Sequence, residues 1–289
     1  MSELRKLLID RLKEKRDNLS VSSARTYASL LLNVYNKLEG NGELDFFKND
    51  EKILKHVKTL EKAQTRKTLL SALFVLTGLD SYKEDMMTDI KVVNDNYKKQ
   101  KTDPDRLSKL KTYEEIVSIH NNIKQKYKLN PKNDHLIELL ISYLYSGVLG
   151  ESLPPRRVLD YSLMKIKNFN KDKDNYIHSG KMYFNQYKTK DRYGQQIITI
   201  PKELNTLINK WKKMNSSDYL LVNEDGKEFT SNSLSKKVSR LFDGNNVDML
   251  RSIFLSHYYK DLPKLAEMEE LATKMGHSVF SQMNYYVKK

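Results

Sequence analysis

Five short segments in the second half of the chain hold the residue types that could do chemistry. Pro154-Pro155-Arg156-Arg157-Val158-Leu159-Asp160-Tyr161 follows an apolar helix pattern, and Tyr187-Lys188-Thr189-Lys190 lies at the turn between two strand-like stretches. Asp248-Met249-Leu250-Arg251 opens another helix pattern. Met275-Gly276-His277-Ser278 is followed, nine residues after the histidine, by Tyr286. Two arginines can clamp the oxygens of a phosphodiester with forked, permanently charged donors. A phenol has a pKa near 10, so a tyrosine nucleophile needs nearby cations or a base. A lysine on a mobile turn could protonate a leaving oxygen.

Each residue also has a plainer reading. Arg157 could be a surface residue or an ion-pair partner of Asp160. Lys188 could be a solvated turn residue. Arg251 stands near the start of a helix, where the helix dipole mildly disfavours a cation. His277, after a glycine at a helix end, could satisfy helix carbonyls. Tyr286 is one of 18 tyrosines, and Tyr285 precedes it directly. The joint pattern outweighs any single member.

In their order and spacing the segments resemble the catalytic domain of the tyrosine recombinase (phage integrase) family, over roughly residues 110–289. The resemblance implies Arg157, Lys188, Arg251, His277 and Tyr286 as catalytic residues, with Tyr286 the nucleophile and Tyr285 the runner-up. It implies Asp160 and Asp248 as accessory positions. The family usually has histidine three residues before the second arginine; here that residue is Asp248, which leaves the general base open or makes Asp248 a helix cap. It further implies site-specific cutting and rejoining of double-stranded DNA through a 3′-phosphotyrosyl link, without metal, ATP or other cofactor. Two domains would close on DNA as a clamp, and homo-tetramers would form on it. Three residues follow Tyr286, so subunit contacts are expected elsewhere, in the helical first third. A type IB topoisomerase, or a DNA-binding protein with a decayed site, stays open beside this reading.

Bulk properties agree with a polyanionic partner. The formal net charge is +14, and 51 residues are basic, only 11 of them arginine. Such an excess fits nucleic acid, an anionic membrane or an acidic protein. The lysine- and asparagine-rich composition also fits an AT-rich genome, and a viral or mobile-element source is expected. Without cysteine there can be no disulfide, thiolate zinc site or cysteine nucleophile. Phosphate-loop, G-x-S-x-G and H-E-x-x-H patterns are absent, and the six histidines are scattered. Dispersed carboxylates leave a two-metal nuclease site open. The N-terminus shows no apolar signal core, and the longest apolar stretch, 136–149, contains Glu138 and is too short for a bilayer. The expectation is a soluble intracellular protein with access to DNA.

The elements that must position these residues read as mainly α (α+β). A helical core-binding domain is expected over 1–97, with helices near 2–18, from Ser22 or Ser23 to Gly40, and over 51–62, 63–77 and 81–97. A basic linker over 98–110 is broken by Pro104. The domain over 111–289 is mostly helical (112–127, 133–147, 202–214, 231–242, 248–260, 263–275), with a small three-stranded antiparallel sheet. Its strands are Tyr176–His178, a Ser179-Gly180 turn, Lys181–Tyr187, and Gln195–Ile200. Arg25, Arg66, Lys67, Lys98, Lys99 and Lys101 are candidate phosphate contacts.

Overall fold

The computed structural model describes residues 2–40, 43–99, 104–275 and 278–279. The chain divides into two units: Met1–Thr102 with Pro263–Lys289, and Asp103–Leu262.

The first unit is built on α1 (Ser2–Lys15), α2 (Val21–Lys37), α3 (Asp50–Lys58), α4 (Ala63–Thr77) and α5 (Asp80–Lys98). Leu8 and Leu12 of α1, Leu31 of α2, Ile53 of α3 and Leu70 and Leu73 of α4 are fully buried together. Their spacing of three and four residues gives each helix one apolar face. The cap of α2 is Ser20, whose hydroxyl accepts from the Ser23 amide at 3.1 Å. It displaces the expected Ser22 or Ser23, because only Ser20 keeps the extended backbone a cap requires. Gly40 follows α2 where a Cβ would lie 2.2 Å from the Tyr35 ring, so only glycine fits. A short 3-10 helix, Leu44–Lys48, was not expected. It carries Phe47 into the core, where the Phe47 carbonyl accepts from Tyr82 at 2.8 Å.

The second unit begins inside the stretch read as a linker. Pro104 starts a one-turn helix α6 (Pro104–Leu107), a position its fixed φ favours. Then come α7 (Tyr113–Leu129), opened by a capping box between Thr112 and Glu115, and α8 (Asn133–Tyr145). From Leu136 to Tyr145 only Glu138 of α8 is not buried, and both its oxygens hold lysines, Lys126 and Lys237. The one-turn helix α9 (Val158–Ser162) was not anticipated either.

Strands β1 (Tyr176–His178), β2 (Lys181–Phe184) and β3 (Gln196–Thr199) form one antiparallel sheet in sequence order. Ser179 and Gly180 both have positive φ, which matches the twist of a two-residue hairpin turn. The strand expected through Tyr187 ends at Phe184. The β2–β3 connection instead holds a one-turn helix α10 (Lys190–Tyr193). Helices α11 (Lys202–Met214), α12 (Ser231–Leu241) and α13 (Val247–Tyr258) complete the unit around Tyr161, Phe184, Trp211 and Phe242. Helix α14 (Leu265–Lys274) is counted with the first unit.

Among the described residues no helix is long and apolar enough to cross a membrane, and no group of three acidic or histidine residues could hold a metal.

His120 of α7 is buried against α8, with Nδ1 2.9 Å from the Ser142 hydroxyl and its ring edge on Tyr143. Burial, with Lys124 adding repulsion, lowers its pKa to about 4. The unfolded chain therefore takes up a proton that the fold refuses, and stability falls as pH drops from about 6.5 towards 4. The expected loss between pH 7 and pH 5 is about 2 kcal/mol from this residue. Urea unfolding at both pH values should show that share of the slope disappear in His120→Asn.

Candidate active site

The site grows from one carboxyl group. Asp160 lies on α9, 2% exposed, where an apolar turn between Leu159 and Tyr161 carries it inward. Its Oδ2 accepts from Arg156 Nε at 2.8 Å, while Oδ1 has no partner among the described residues. Burial pushes the Asp160 carboxyl above its usual range, against the pull of Arg156, Arg157 and Arg251. Three guanidinium charges thus act on one carboxyl, from segments nearly a hundred residues apart in sequence.

The three arginines differ in what they do. Arg156 is 15% exposed and committed to the protein: besides Asp160 it donates to Gln196 Oε1 at 2.8 Å. Arg157, at the N-cap of α9, accepts from the Asp160 amide through its carbonyl at 3.0 Å, but its half-buried side chain makes no hydrogen bond or ion pair among the described residues. The ion pair that could have explained Arg157 belongs to its neighbour. Arg251 sits one turn into α13 with its side chain 30% exposed. Its one ionic contact among the described residues is Asp248 at 3.5 Å, and Asp248 is 80% exposed, so water competes for that pair and it yields easily.

Asp248 is not the cap of α13. Asn246 is, accepting from the Met249 amide at 3.0 Å. Sequence reading also missed Arg106, which donates to the Ser252 hydroxyl at 3.0 Å from within the supposed linker. No local signal marks it; the pairing spans 146 residues.

Lys188 is exposed in the β2–β3 connection, without a protein partner among the described residues. The residues around it are tied down. Asn175, itself buried, donates to the Asp160 carbonyl at 3.0 Å and to the Gln186 carbonyl at 2.8 Å. Its side-chain oxygen accepts from the amides of Asn185 and Gln186 at 2.8 and 2.7 Å. Tyr187 donates to the Gly194 carbonyl at 2.7 Å, closing the loop on itself. The structure therefore brings Arg157, Arg251 and Asp160 together and roots the Lys188 loop on the same helix.

His277, Tyr286 and the neighbouring Tyr285 lie outside the described residues, as does Lys101. Lys98 ends α5, and its side chain is not described. Lys99 is exposed, and Lys67 half-buried. Arg25 is exposed on α2, where it lines a shallow furrow with Arg5, Ser22, Thr26 and Ser29. Arg66 is a correction to the phosphate-contact set. Its guanidinium is clamped on the buried Asp89 and donates to the carbonyls of Leu60 and Glu61, so its donors hold α4 to α5 and to the preceding turn.

No family model matches the sequence, and no curated protein matches it. Among solved structures, the chain is similar to a XerA recombinase at 12% identity and a TM-score of 0.34, covering 99% of this chain and 94% of that one. It is also similar to a lambda integrase dimer bound to a COC′ core site, at 17% identity and a TM-score of 0.48, covering 91% of this chain and 89% of that one. Neither likeness assigns a role to a residue here.

The different commitments of the paired arginines are measurable. Arg157→Ala should change the free energy of unfolding by less than about 0.5 kcal/mol. Arg156→Ala should cost about 2 kcal/mol, because buried Asp160 loses its hydrogen-bonded cation and must draw Arg157 onto itself. Denaturant melts of the two variants test this, and equal losses would contradict it.

Proposed function

We propose that this protein cuts and rejoins double-stranded DNA as a tyrosine recombinase, through a covalent bond between Tyr286 and a 3′-phosphate. The observation that carries the reading is the partly exposed pair Arg157 and Arg251 acting on one carboxyl, with the Arg157 side chain unbonded among the described residues. A cation kept beside a buried acid yet unbonded is costly unless something else binds it, and a phosphodiester fits its fork.

In the reaction as proposed, the Tyr286 oxygen attacks the scissile phosphorus and forms the phosphotyrosyl ester. The bond to the 5′-oxygen breaks, and its electron pair leaves on that oxygen, which takes a proton from the Lys188 ammonium. The phenol proton passes to a base, for which His277 and Asp248 are the candidates. Arg157 and Arg251 neutralise the charge that builds on the non-bridging oxygens. One ester replaces another, so rejoining is the same path in reverse and consumes no nucleotide. Arg25, Lys67, Lys98, Lys99 and Lys101 would add salt-dependent phosphate contacts. Assembly as a homo-tetramer on DNA, in an intracellular compartment with access to DNA, belongs to the same reading.

The test is covalent capture. Nicked duplexes with a randomised core are incubated with the protein, denatured, and the adducts recovered and sequenced. An adduct is expected from the native chain and from Tyr285→Phe, and none from Tyr286→Phe. Adduct surviving Tyr286→Phe, or no adduct at all, overturns the proposal. Plasmid relaxation without exchange between two captured sites would instead favour a topoisomerase.

A further inference from the structure

Arg156 has no task in that reaction, yet its side chain is the most heavily engaged of the three around Asp160. Nε holds Asp160 on α9, and a terminal nitrogen holds Gln196 at the start of β3. The flat guanidinium lies 4.0 Å from the ring centroid of Phe184, at the end of β2. It lies 5.4 Å from the ring centroid of Tyr187, which immediately precedes Lys188. One planar group therefore touches α9, both strand ends that flank the β2–β3 connection, and the residue next to Lys188. A lysine could not do this, because its ammonium is a point charge that neither forks nor stacks as a plane.

Resting on Lys188 as the proton donor, the geometry points to Arg156 as a positioning residue. It ties the β2–β3 connection to Asp160, so that Lys188 and the pair Arg157 and Arg251 meet one phosphodiester. Asn175 fixes the backbone root of the loop at Asn185 and Gln186. Arg156 fixes the side-chain end at Tyr187, the residue before the lysine. Arg156 has a second consequence: by satisfying Oδ2 of Asp160, it leaves Arg157 free for substrate. Removing Arg156 alone would let the carboxylate draw Arg157 away, so a clean test removes the acid as well.

The test uses the duplex recovered by covalent capture, made once with the natural 5′-oxygen and once with a bridging sulfur at the scissile bond. When phosphorus–sulfur cleavage occurs, the electron pair stays on sulfur as a thiolate, which needs no proton. Lys188→Ala calibrates the assay. Its single-turnover cleavage should be about a hundredfold slower on oxygen and near native on sulfur. Arg156→Met/Asp160→Asn should be slower by about tenfold or more on oxygen, and within about threefold of native on sulfur. Tyr187→Leu, which leaves the ion pair intact, should show the same pattern more weakly and covers the case in which the double variant does not fold.

Equal slowing of Tyr187→Leu or a folded double variant on both substrates overturns the positioning role, as does full speed on oxygen. If Lys188→Ala stays slow on sulfur, the proton-donor reading falls and this role falls with it. That control separates the two failures.

Discussion

A single buried carboxyl, Asp160, is the constraint on which the second unit's chemistry depends. An acid that is 2% exposed would be neutral or unstable without cations. The fold answers with a direct partner, Arg156, and with the longer-range charges of Arg157 and Arg251. Because Arg156 takes the hydrogen bond, neither Arg157 nor Arg251 bonds Asp160 among the described residues.

The same carboxyl explains why a short, unimpressive helix matters. Helix α9 is five residues long and could not be stable alone. It is held by Tyr161, packed edge-on to Tyr145 and Phe184, and by Asn175, which bonds the Asp160 carbonyl. Among the described residues, Oδ1 of Asp160 and the hydroxyls of Tyr145 and Tyr161 are buried without partners. Such atoms cost stability.

The first unit follows a simpler logic. Its helices bury leucines on one face, and Arg66 on Asp89 joins α4 to α5. A basic residue was expected there to meet phosphate, but three of its nitrogens turn inward. Lys52, Lys55 and Lys58 on α3 are exposed, and Lys52 also donates to the Leu38 carbonyl at 2.8 Å.

Helical periodicity was readable from the sequence because apolar spacing of three and four residues is local: α4, α11 and the start of α8 fall where the pattern puts them. The hairpin turn was readable because Ser179-Gly180 tolerates positive φ. Arg157, Arg251 and Lys188 were singled out by resemblance to a family, on the order and spacing of short segments. Tertiary structure alone decided which arginine bonds Asp160. Residues three and four positions before an acid offer it similar reach, and the backbone of one turn selects between them. It also decided that Arg106 meets Ser252 and that the strand after Met182 stops at Phe184. The Arg106–Ser252 pairing joins residues 146 positions apart, and no local pattern carries that information.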